Sequence, residues 1–160
     1  MCYNENGDNM KKIFILLSLF LLVGCTGKIK EANCKIKLEN MKDGYTLKAN
    51  YKIYYDKNEF ITKIEEDVTY KSNEESVLNY YYDSKSMEYQ KLYNYGGIEY
   101  TVEQIDDEVK INSTRNLGDT DVKQMIKDGV MKKDYTSANK LTLYGMKAYY
   151  ESKGAKCDIE

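Results

Sequence analysis

The constraint that most limits how this chain can fold is a period of two. Tyr45, Leu47, Ala49, Tyr51, Ile53 and Tyr55 alternate with Thr46, Lys48, Asn50, Lys52, Tyr54 and Asp56. Twelve residues of such alternation put apolar groups on one face of a strand and polar groups on the other. The pattern starts earlier, with Cys34, Ile36 and Leu38 opposite Lys35, Lys37 and Glu39. It continues through Phe60, Thr62, Ile64, Val68 and Tyr70, weakened by Glu65-Glu66-Asp67. Turns are expected at Asp43-Gly44 and at Asp56 to Glu59. Three successive strands with short turns predict an antiparallel meander.

The period then changes. Val77, Leu78, Tyr81, Tyr82, Met87, Tyr89, Leu92 and Tyr93 form a helical stripe. Ser72 precedes Glu75 at capping-box spacing, Asp83-Ser84 is a point where the helix can break in two, and Gly96-Gly97 ends it. Strands resume at Ile98 to Val102 and return through Val109 and Ile111 after a turn at Asp106-Asp107. Thr120 is read as the cap of a short helix carrying Val122, Met125 and Ile126. Thr142 is read as the cap of a last helix whose inner stripe is Leu143, Met146 and Tyr150. Gly154 ends that helix, and a final strand holds Cys157. The predicted fold is α+β: an antiparallel sheet of about five or six strands, one face covered by two or three helices. The other face is left wet.

The first 25 residues predict an address. Lys11-Lys12 precede the apolar run Ile13 to Val23, then Gly24 and Cys25, the layout of a secretory signal. A helix needs roughly 20 apolar residues to cross a bilayer, so this run is too short to be a permanent span. Leu22-Val23-Gly24-Cys25 resembles the bacterial lipobox, in which the cysteine sulfur takes a diacylglycerol before cleavage. Two acyl chains hold a protein stably to a bilayer where one holds it marginally. The expectation is a signal peptide over 1–24, with the true start at Met10, lipidation at Cys25, a tether over 25–33 and one domain over 34–160. It places the domain outside the cytoplasm, anchored to the bacterial cell membrane by lipid.

That assignment bears on the cysteines. Cys2 leaves with the signal and Cys25 is consumed by lipid. Cys34 and Cys157 remain, in a compartment where disulfides persist. Their pairing is favoured over two buried thiols. A nucleophilic sulfur comes last, because no His or CxxC partner lowers its pKa.

Composition excludes more than it suggests. The chain has no His, Trp or Pro, 17 Tyr and a net charge of −2, unchanged by removal of residues 1–24. No basic excess attracts nucleic acid. Without His the usual general acid–base and the commonest metal ligand are missing. The acidic runs Glu65-Glu66-Asp67 and Asp106-Asp107-Glu108 lack the glycine and spacing of a calcium loop and read as exposed strand or turn residues. No Ser, Lys or carboxylate spacing singles out a catalytic set, so no enzyme, no metal and no cofactor is expected.

The tyrosines are the remaining candidates. Tyr80, Tyr81 and Tyr82, with Tyr54 on the polar face of its strand, are the residues proposed to stack on cell-wall sugars. The plainer reading has them pack the helix–sheet interface with their hydroxyls at the rim.

The chain resembles the small lipoproteins of the YehR-like family. The lipobox Leu22 to Cys25, the early strand hairpin and the C-terminal helix ending Tyr150-Glu151-Ser152-Lys153-Gly154-Ala155-Lys156-Cys157 carry the likeness. It implies the same fold and location and transfers no catalytic residues. The function expected is a binding or interaction module engaging an envelope protein, a glycan or a small ligand. The alternative is a structural or accessory envelope lipoprotein without a ligand pocket; a hydrolase ranks last.

Overall fold

A computed structural model describes residues 29–40 and 43–159. The signal, Met10 and Cys25 lie outside the described residues. The elements run β1 (Lys30–Asn40), β2 (Tyr45–Tyr55), β3 (Ile61–Ser72), α1 (Glu75–Tyr93), β4 (Ile98–Ile105), β5 (Glu108–Asn116) and α2 (Val122–Lys127). A 3₁₀ turn at Lys133–Tyr135, β6 (Thr136–Ser137), β7 (Lys140–Leu141), α3 (Leu143–Ser152) and β8 (Lys156–Ile159) complete the order.

Six strands form one antiparallel sheet in the order β4-β5-β3-β2-β1-β8, with β6 and β7 as a separate small ribbon. The meander read from the alternation is the β1-β2-β3 centre of this sheet. The inward set of β2 is Ala49, Tyr51, Ile53 and Tyr55, as the parity requires. Inward residues of β1, β3 and β5 join them, with Leu78 and Tyr89 of α1, Met125 of α2, and Leu143, Met146 and Tyr150 of α3. All three helices therefore lie on one face. The opposite face carries Lys52, Tyr54, Glu65, Asp67 and Asn112 and faces water. The α+β architecture is the one expected.

Three local readings differ from the structure. The first strand starts at Lys30, inside the stretch 25–33 expected to be a tether, because Lys30 to Asn33 pair with Lys52 to Tyr55. Ser72 makes no capping box: its hydroxyl donates to the Gly44 carbonyl (2.7 Å) and accepts from the Glu74 N–H (3.1 Å), tying the end of β3 to the β1–β2 turn. Thr120 does not cap α2. Asp121 does, accepting from the Gln124 N–H at 2.9 Å, while the Thr120 hydroxyl donates to the Asn116 carbonyl. Thr142 caps α3 as read, accepting from the Gly145 N–H at 3.1 Å. Asp83-Ser84 leave α1 unbroken.

Cys34 and Cys157 are bonded. They stand directly opposite each other in the β1–β8 register, their Cα atoms 4.0 Å apart. The bond joins both ends of the domain at one sheet edge.

Candidate functional site

The feature that departs from an ordinary apolar core is Glu66. Positions 64, 66, 68 and 70 of β3 share the inward face, so the strand that buries Ile64, Val68 and Tyr70 also turns a carboxylate inward. An inward charge is costly unless hydrogen bonds replace its water. Three hydroxyls do so. Tyr89 of α1 donates to Oε2 at 2.6 Å, Ser113 of β5 donates to Oε2 at 2.8 Å, and Tyr150 of α3 donates to Oε1 at 3.0 Å. One side chain thus joins two strands and two helices.

The electrostatics follow from burial beside a negative charge. Desolvation first, and the Glu66 charge second, push the phenols of Tyr89 and Tyr150 well above their ordinary value. Tyr51, opposite Glu66 on β2 and stacked on Tyr150 at 4.1 Å, is raised by the same two causes in the same order. All three stay neutral and act as hydrogen-bond donors or apolar walls.

Glu66 lies at a cleft of about 280 Å³ between the covered sheet face and the helices. Its apolar walls include Ile111, Met125, Met131 and Met146. Four cationic side chains also line it: Lys85, Lys91, Arg115 and Lys153. Lys85 is paired with Glu88 at 2.6 Å, and Lys153 donates to the Tyr149 hydroxyl at 2.6 Å. The cleft therefore combines a hydroxyl-bound carboxylate, aromatic and methionine walls, and positive charge.

The tyrosines singled out from the sequence do not form one site: Tyr80 and Tyr81 touch edge to face at 5.4 Å, but Tyr54 is elsewhere. Tyr54 sits on the wet face, where the Lys63 ammonium lies 4.1 Å from its ring centroid and its hydroxyl donates to Glu65 at 2.9 Å. Desolvation and that bond push its phenol up to about 12. Glu65 is held low by its bonds from Lys63 and Tyr54. Tyr80, Tyr81 and Tyr82 lie on α1, on the other side of the sheet. Tyr81 is stacked on Tyr70 at 4.1 Å and packed on Tyr45, while Tyr80 (66% exposed) and Tyr82 face solvent. Phenols do fill the helix–sheet interface, but those of Tyr89 and Tyr150 point inward to Glu66 and not to the rim.

The acidic runs resolve into separate roles. Glu65 pairs with Lys63 (2.7 Å), Asp107 with Lys71 (2.7 Å) and Glu108 with Lys110 (3.0 Å). Glu66, expected to be exposed, is half-buried and inward. Among the described residues no group of three or more His, Cys, Asp or Glu side chains is arranged to hold a metal ion.

No family model and no curated protein sequence matches the chain. Among solved structures, the NMR structure of the E. coli YehR protein superposes with a TM-score of 0.51 over 83% of this chain and 93% of that one. The chain carries a YehR-like fold. Sequence identity over the match is 14%, so the likeness speaks for the fold alone. YehR shares the sheet-and-helix arrangement without lending a ligand or an activity.

Proposed function

We propose that this protein is a lipid-anchored, extracytoplasmic binding module that takes a small ligand in the cleft around Glu66. The observation that carries the reading is the cleft itself, placed between sheet and helices, where charged and hydroxyl groups converge beside an aromatic and methionine wall. Sites that bind small molecules share this form: apolar walls with a few fixed polar groups. The anchor and the location rest on the signal-and-cysteine pattern ending at Cys25.

Binding without turnover fits the chemistry better than catalysis. The Ser113 hydroxyl donates to Glu66 in the arrangement of a nucleophile and its base. Glu66 already accepts from two phenols besides Ser113, so the serine is one of three donors that hold the carboxylate in place, and among the described residues no His, Lys or second carboxylate hydrogen-bonds its hydroxyl. Ser113 is instead a hydrogen bond that fixes the carboxylate.

The test is thermal unfolding of the purified full chain against a panel of small polar and amphipathic metabolites. A Val130→Trp variant, in which the indole plugs the cleft, is run in parallel. At least one compound is expected to raise the melting temperature of the parent and not of the plugged variant. A panel that moves neither protein, or moves both equally, refutes a ligand site in this cleft.

A further inference from the structure

Opposite charges line this cleft without an ion pair between them: the Glu66 carboxylate on one side, and Lys91, Arg115 and Lys153 on the other, Arg115 being the one that shares the sheet face with Glu66. Among the described residues Glu66 has only hydroxyl partners, and Arg115, the single arginine of the chain, has no hydrogen-bond or ion-pair partner. They are close enough to expect one. Ser113 stands opposite Glu66 in the β3–β5 register, and Arg115 lies two residues along β5 on the same face. Such diagonal neighbours have their Cβ atoms roughly 7 Å apart, within reach of a guanidinium. Unpaired opposite charges in a partly desolvated cleft are unfavourable until something bridges them.

We infer that the ligand is a small zwitterion, a free α-amino acid with an apolar side chain, whose ammonium group meets Glu66 and whose carboxylate meets Arg115. This rests on the ligand-binding reading above and narrows it. A carboxylate has about four acceptor positions. Three are taken by hydroxyls, and Oε1, bound only by Tyr150, keeps one for an N–H donor. Arg115 offers the planar fork that binds a carboxylate through two parallel bonds. Met125, Met131 and Met146 supply an adaptable wall for an apolar side chain. A cleft of about 280 Å³ suits a molecule of amino-acid size better than a lipid or an oligosaccharide. A ligand with one charge leaves the other protein charge uncompensated, which is the basis of discrimination.

Calorimetric titration of the purified full chain with L-phenylalanine, 3-phenylpropionate and phenethylamine tests this, with Arg115→Gln and Glu66→Gln as variants. L-phenylalanine is expected to bind saturably, and each singly charged analogue to bind about tenfold weaker or worse. Arg115→Gln is expected to lose about tenfold for L-phenylalanine while leaving phenethylamine unchanged. That variant lies outside the Glu66 hydrogen-bond cluster, so it keeps the test decisive if Glu66→Gln unfolds. Equal affinity for the three compounds, or no heat with L-phenylalanine, overturns the zwitterion. If the metabolite panel still separates parent from Val130→Trp, the cleft stands as a site for another class; if it does not, both readings fall.

Discussion

Alkaline pH is the sharpest probe of how this core is built. Tyr51, Tyr70, Tyr89 and Tyr150 are all buried, and desolvation raises the phenol of each above its ordinary value near 10. A raised folded-state pKa contributes stability that is whole below the unfolded value. It is lost as pH climbs from there toward the folded value, because only the unfolded chain releases the proton. Each such group gives a slope of about 1.4 kcal/mol per pH unit, so four give roughly 5–6 kcal/mol per pH unit once the unfolded phenols have ionised. A domain stable by about 5–15 kcal/mol is then erased between about pH 11 and 13. The assay follows far-UV circular dichroism and tyrosinate absorbance together through a pH titration. The buried set is expected to ionise in one step, together with loss of the sheet signal. Tyr150→Phe is expected to lower the slope by about a quarter. Smooth titration of every phenol near pH 10 with unchanged dichroism refutes the reasoning.

Other perturbations test separate parts of the structure. The Cys34–Cys157 bond closes a loop with a sequence separation of 123, so by loop entropy its reduction destabilises the domain by up to about 5 kcal/mol; equal urea midpoints with and without reductant count against this. Gly145→Ala in α3 places a methyl group against the backbone of Tyr135, and overpacking of this kind costs about 1–3 kcal/mol, read as a fall in melting temperature; an unchanged melt shows that the approach is not close. Tyr89→Phe removes one donor from Glu66 and is expected to cost about 1.5–3 kcal/mol, with a non-additive double-mutant cycle against Tyr150→Phe; simple additivity speaks against a shared carboxylate. Cys25→Ser is expected to abolish labelling of the cell-expressed protein by an alkyne fatty acid, and persistent labelling rejects the anchor.

Much of the fold was legible because parity and spacing act locally. The alternation at Tyr45 to Tyr55 assigned each side chain of β2 to its observed face, and Gly96-Gly97 marked the end of α1. Gly97 has a φ of +68, and a Cβ there meets the Asn116 carbonyl, so both the turn and the close approach require glycine. The caps misread were those where a hydroxyl had a tertiary competitor: the Gly44 carbonyl for Ser72 and the Gly96 carbonyl for Thr120. The site was half legible. Position 66 shares parity with Ile64 and Val68, which marks a charge on an apolar face. Its place inside an acidic run masked that signal. Tyr89 and Tyr150 were assigned to inward stripes, but their convergence on one carboxylate depends on helix packing across 84 residues of sequence, which no local pattern encodes.

The early start of β1 also alters how the proposed anchor would hold the domain. With the sheet beginning at Lys30, only five residue steps separate it from Cys25, and a fully extended chain spans at most about 3.5 Å per residue. The start of β1 would then lie within about 18 Å of the Cys25 backbone. The disulfide strengthens this constraint, because β1 is an inner strand held by β2 on one side and by β8, through Cys157, on the other. A pull on the proposed anchor would be carried directly into the sheet. A long flexible tether lets a module sample space far from the bilayer; if Cys25 is lipidated as proposed, this spacing would keep the domain in the layer next to the membrane. That favours a ligand arriving at the membrane surface over a partner on a distant structure.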